Sequence, residues 1–133
     1  MAREVFFPNA DSKPSGYSPA TRVGNTIFVS GQVALDSDGK LVGAGNCGAQ
    51  AAQCLSNVDA ALEAAGGAWD DVVKLTTFLV DVADYDSYAA VRLAMFPEKG
   101  PASSTVIIAA LIKPEFLIEI EAVAVLVGAS GST

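Results

Sequence analysis

The chain contains no histidine in its 133 residues. That removes the commonest metal ligand and the usual general base at neutral pH. A zinc site or a histidine-driven triad is thereby excluded, and no metal is expected. Cysteine is scarce as well, with only Cys47 and Cys54. Seven residues apart on a predicted helix, their Cα atoms would lie ~10 Å apart at 1.5 Å per residue, too far for a disulfide. Cys54 reads as a small apolar core group. Positive charge is thin: 8 Lys and Arg against 15 Asp and Glu leave a net charge of −7. The basic residues are scattered singly, so the surface repels phosphate backbones, which argues against a nucleic-acid partner. No apolar run approaches the ~20 residues that span a bilayer. Met1-Ala2-Arg3-Glu4-Val5 carries an acid and lacks the apolar stretch of a signal peptide. A cytoplasmic location without membrane contact is the expectation.

Apolar residues make up 51% of the chain, enough for one ordinary core. A single domain over 1–127 is expected, followed by a small, polar and loose tail over 128–133. Residues 6–20 are rich in Pro, Ser, Asn and Asp and read as an extended arm. Gly24-Asn25 is a favoured two-residue turn between β-prone runs, which predicts a hairpin over 21–30. A third short strand is predicted at Gln32-Val33-Ala34-Leu35, ending in the turn Asp36-Ser37-Asp38-Gly39-Lys40. Gly43-Ala44-Gly45-Asn46-Cys47-Gly48 is rich in glycine, but no Gly-Lys-Ser/Thr follows. It reads as a loop entering a helix capped by Asn46 rather than as a phosphate loop.

That helix carries Ala51, Leu55, Val58, Leu62 and Ala65 at helical spacing, and Gly66-Gly67 ends it. Val72–Val80 is a central strand. A second helix over about 84–96, capped by Asp84 or Asp81, stops at Pro97. Strands over about 104–109 and 117–127 complete the order βββ-α-β-α-ββ. The fold class is α/β (α+β): one mixed sheet with two helices on one face. The opposite face is also apolar in this reading and has no helix left to cover it, so self-association is expected.

Several motifs, in order, resemble one family. Gly16-Tyr17-Ser18-Pro19-Ala20 is followed by Val29-Ser30-Gly31-Gln32, then by Gln50, Leu55, Asn57, Leu62 and Ala65-Gly66. Asp71-Val72-Val73-Lys74, Phe78-Leu79-Val80-Asp81, Pro101-Ala102-Ser103-Ser104-Thr105-Val106 and Ile118-Glu119-Ile120-Glu121 come next. Over about 17–126 the chain resembles the Rid (YjgF-type) reactive-intermediate deaminases. The resemblance implies a chorismate-mutase-like fold and a homotrimer with small-molecule clefts between subunits. It also implies hydrolysis of imines or enamines without a cofactor.

The family pattern maps a water-activating glutamate onto Glu119, a cleft-lining tyrosine onto Tyr17, and substrate contacts onto Ser30 and Gly31. Ser103 stands where the family carries the carboxylate-binding arginine, Thr105 where a cysteine is common, and Ala89 where an asparagine is usual. A serine cannot imitate the bidentate fork of an arginine. The resemblance with these departures therefore implies altered specificity and poor turnover of simple 2-imino acids. Arg92, one helical turn after Ala89, either returns a cation to the cleft or sits on a solvated helix face. Glu119 either serves the reaction, with its pKa raised by desolvation, or anchors a subunit boundary together with Glu121, which shares its side-chain parity. Two further readings stand beside the deaminase: a non-catalytic trimeric metabolite-binding protein, and a ribonuclease, against which the acidity and the lack of histidine count.

Overall fold

The computed structural model describes residues 2–127; the tail expected at 128–133 lies outside the described residues. One six-stranded sheet carries both helices. In chain order the elements are β1 (Glu4–Phe6), β2 (Ala20–Val23), β3 (Thr26–Gln32), α1 (Cys47–Ala64), β4 (Val72–Leu79), α2 (Tyr85–Met95), β5 (Ala102–Ile107) and β6 (Ile118–Val125). The strand order is β1-β2-β3-β6-β4-β5, antiparallel throughout except for the β4–β5 pair, which α2 connects as a crossover.

Alternation along β6 decides what each face does. Ile118, Ile120, Ala122 and Ala124 are buried beneath α1, joined there by Ile27, Val29, Leu75 and Leu79. α1 contributes the stripe its spacing predicted, Ala51, Leu55, Val58 and Leu62 with Ala65 at its end, together with Cys54 and Ala61. Asn46 accepts a hydrogen bond from the Ala49 amide, and Gly66 (φ +91°) lets the chain leave the helix in the left-handed region. Arg22 on β2 donates to the Ala65 carbonyl at 3.0 Å and so satisfies an acceptor at the end of α1. Gln50, fully buried, donates to the carbonyls of Gly43 and Glu115 and accepts from the Leu117 amide. One side chain thereby ties the loop before α1 to the segment entering β6.

The third predicted strand differs from what forms. Leu35 makes only an isolated bridge to Leu41, and the carbonyls of Val33 and Leu35 are taken up by the Asn57 side chain of α1. With these two carbonyls occupied by a side chain and that of Ala34 accepting from the Val42 amide, residues 33–35 join no strand of the sheet. The third N-terminal strand is instead β1, paired with β2 at the edge of the sheet just ahead of the segment read as an arm, which it overlaps only at Phe6. At α2, Asp81 is the residue whose side chain caps, accepting from Ala83 N across a short 3-10 turn; Asp84 makes no such bond.

The face away from the helices is less apolar than expected. Val5, Phe28, Val106 and Val125 are exposed there, but Lys74, Glu119 and Glu121 lie among them by strand register. Among the described residues no helix is long and apolar enough to cross a membrane.

Candidate functional site

Two groups of predicted site residues lie apart on the chain. The first surrounds Glu119 on the open face of the sheet. Val29 pairs with Ala122 and Gln32 with Ile120, so Ser30 and Gly31 together oppose the single residue Glu121. This two-against-one bulge re-aims the β3 backbone next to the carboxylate. A Cβ at Gly31 would overlap the Glu119 carboxyl group, so only glycine leaves that group its present place. Ser30 donates from its hydroxyl to the Ser18 carbonyl at 2.6 Å, and its amide donates to the Pro19 carbonyl at 2.9 Å. These bonds bring the Tyr17 segment beside the bulge. Tyr17 and Gly31 both line a cavity of about 420 Å³ between the N-terminal arm and the loop after β3, and Tyr17 itself is 60% exposed.

Glu119 is half-buried, and that burial, aided by the neighbouring charge of Glu121, holds its pKa above the ordinary carboxylate value. A carboxyl group moved toward neutrality in this way can take and return a proton. Glu121 has the parity expected of it and acts here as an electrostatic neighbour. The two thiols lie elsewhere: burial pushes Cys47 up to about 11 and Cys54 up to about 12, so neither is a nucleophile near neutrality.

The second group lies on the helix side of the edge strand β5. Ser103, paired in register with Leu75, and Thr105, paired with the buried Thr77, share that face. Tyr85, Tyr88 and Arg92 follow one another at i, i+3 and i+7, a single stripe of α2. Tyr88 is fully buried and its hydroxyl bonds to Thr77 Oγ1 at 2.7 Å. Arg92 lies over the rings of Tyr88 and Tyr85, with Cζ at 5.1 and 5.7 Å from their centroids. Its guanidinium donates to the Tyr85 hydroxyl at 3.0 Å and to Ser103 Oγ at 3.3 Å. The hydrogen bond to Tyr85 holds the arginine's pKa above its usual value. The structure thus places the Arg92 guanidinium beside Ser103 on the β5 edge. Tyr85 is the contributor that the sequence reading missed, and its i+7 spacing to Arg92 was the available signal.

Glu119 with Gly31, Ser30 and Tyr17 thus forms one group, and Ser103 with Arg92 and Thr105 the other. A single chain does not bring them together: Glu119 faces away from the helices, while Ser103 faces α2 two strands over.

The model of the family described as endoribonuclease L-PSP matches residues 9–126. The chain belongs to this YjgF/Rid family. A RutC family protein of Pyrococcus abyssi is 40% identical over 125 residues, covering 93% of this chain and 98% of the relative. A protein of Acinetobacter baylyi named 3-aminoacrylate deaminase RutC is 38% identical over 125 residues, with the same two coverages. The crystal structure of the YjgF gene product of Escherichia coli superposes with a TM-score of 0.81 at 37% identity, covering 91% of this chain and 96% of that one. The mixed α+β architecture described above is therefore the YjgF-family fold.

Proposed function

We propose that the chain is a cofactor-free deaminase that hydrolyses the C=N bond of an imine, or of the imine tautomer of an enamine, in clefts formed between three copies of itself. The observation that carries this reading is Glu119: a half-buried carboxyl with a raised pKa, held against a glycine that leaves it room. In the reaction, the Glu119 carboxylate takes a proton from a water whose oxygen bonds to the imine carbon. Glu119 returns that proton to the nitrogen, giving the neutral carbinolamine; it then takes the hydroxyl proton as the C=O bond forms and passes it to the nitrogen, which leaves as ammonia as the C–N bond breaks. The name of the Acinetobacter relative supports the same reaction class. Oligomerisation is supported by the separation of the two half-sites and by the exposed Val5, Phe28, Val106 and Val125 on the uncovered sheet face. A neighbouring copy brings its own complementary half-site up to the one that each chain presents.

Specificity is altered at Ser103. Hydrogen bonds to charged groups contribute ~1.5–3 kcal/mol each, so replacing the family's arginine by serine weakens the grip on a 2-imino acid by about 10²-fold. The test is ammonia release from imines that carry no carboxylate on the imine carbon, generated in solution by a flavin amine oxidase, with wild type and Glu119→Gln compared. Loss of turnover in the variant supports the deaminase. Ligand affinity that changes without any catalytic turnover in the wild type would identify a binding protein instead.

A further inference from the structure

The α2 half-site holds a cation where the edge strand has none. Arg92 is the base concerned, and the partners the structure gives it are neutral: two tyrosine rings, the Tyr85 hydroxyl and the Ser103 hydroxyl. In a chain with 15 acids and only 8 Lys and Arg, a guanidinium fixed by neutral groups keeps its charge available for a ligand. The same guanidinium and Ser103 line a pocket of about 300 Å³ whose other walls include Leu93, Phe96 and Pro101. A charged end and apolar sides suit a small aliphatic acid.

The position of the charge carries a further consequence. An arginine at 103 would place its guanidinium at the end of a three-methylene stem, away from the strand. Arg92 instead meets residue 103 at its first side-chain oxygen, Ser103 Oγ, so the charge lies close to the β5 backbone. A carboxylate held there sits nearer the strand than one held by an arginine at 103, which favours an acid group set further from the reacting carbon than in a 2-imino acid.

We propose that Arg92 is the specificity-determining residue of this protein. In this proposal it holds the carboxylate of a substrate whose acid group is separated from the nitrogen-bearing carbon by additional carbons. This rests on the deaminase reading for the role of Glu119, but the binding preference is measurable without turnover. Carbonyl analogues of the hydrolysis products serve as probes: pyruvate, a 2-oxo acid, and levulinate, a 4-oxo acid. Titrated into wild type by calorimetry, levulinate is expected to bind about ten-fold or more tightly than pyruvate. Arg92→Met should weaken levulinate by about 10–10²-fold and leave the weak pyruvate affinity in place, while Arg92→Lys, which keeps the charge but not the fork, falls between. Circular dichroism checks that each variant is folded, and the lysine variant reports even where loss of the ring stacking lowers stability.

The proposal is overturned by levulinate affinity that survives Arg92→Met, or by pyruvate binding as tightly as levulinate. If Glu119→Gln keeps full turnover while the Arg92 dependence holds, the catalytic reading fails and the anion subsite stands.

Discussion

The two half-sites are built by different means. Around Glu119 the decisive features belong to the main chain: strand parity, a bulge, and a glycine whose missing side chain leaves a place for the carboxyl group. Around Ser103 they belong to side chains: an arginine reaching from a helix, steadied by two tyrosines. A site made by the backbone can change only if the sheet changes. A site made by side chains can be rewritten without disturbing the fold. On the reading proposed above, the backbone-made half is the one that is kept and the side-chain half the one that carries the change of specificity.

That contrast can be broken in several ways. The largest effect is expected from Glu119→Gln, which should lower deamination by about 10²–10⁴-fold in steady-state assays, the usual range for removing a general acid–base. Its stability should move the other way. Because the folded-state pKa of Glu119 lies above the ordinary value, the cost of burying its charge grows as pH rises through that window. Thermal melts should therefore place Glu119→Gln level with or above wild type at pH 7, with the difference vanishing at a pH below the ordinary carboxylate value. A variant much less stable at pH 7 would point to a structural role for the carboxylate.

Gly31→Ala comes next. The added methyl meets the flexible end of Glu119 rather than backbone, so the fold should survive while the carboxyl is displaced. A misplacement of this order costs about 10²-fold in rate, visible in kcat with the melting temperature nearly unchanged. Ser103→Arg tests the other half: it should raise kcat/KM for a simple 2-imino acid by about ten-fold or more by restoring the fork. It should also weaken levulinate by crowding Arg92. The smallest effect is expected of Glu121→Gln. Removing that neighbouring charge lowers the pKa of Glu119, so the acid limb of the pH–rate profile, which rises as Glu119 deprotonates, should move to lower pH.

Much of the fold was legible because periodicity carries it. The stripe from Ala51 to Leu62 is buried as its spacing predicted, and the strands expected over 72–80 and about 117–127 form as Val72–Leu79 and Ile118–Val125. What escaped was structure without a pattern. β1 is three residues at a sheet edge with two of them exposed, too short and too polar to alternate. The apparent strand at 32–35 has β-prone residues, but its carbonyls belong to Asn57, a contact spanning more than twenty residues. In the candidate site, the parity of Glu119 and Glu121 was readable, whereas the bond from Arg92 to Ser103 depends on how α2 docks against β5, which spacing within either element does not encode.

The buried Gln50 has a consequence for the reaction as much as for the core. Its carbonyl oxygen accepts from the Leu117 amide two residues before Glu119, and its nitrogen donates to the Glu115 carbonyl. Strand side chains alternate with a period of two, so a slip of β6 by one position would turn Glu119 into the core and an isoleucine toward the substrate. The amide of a single helix residue thus acts as the keeper of orientation for a carboxylate it never touches.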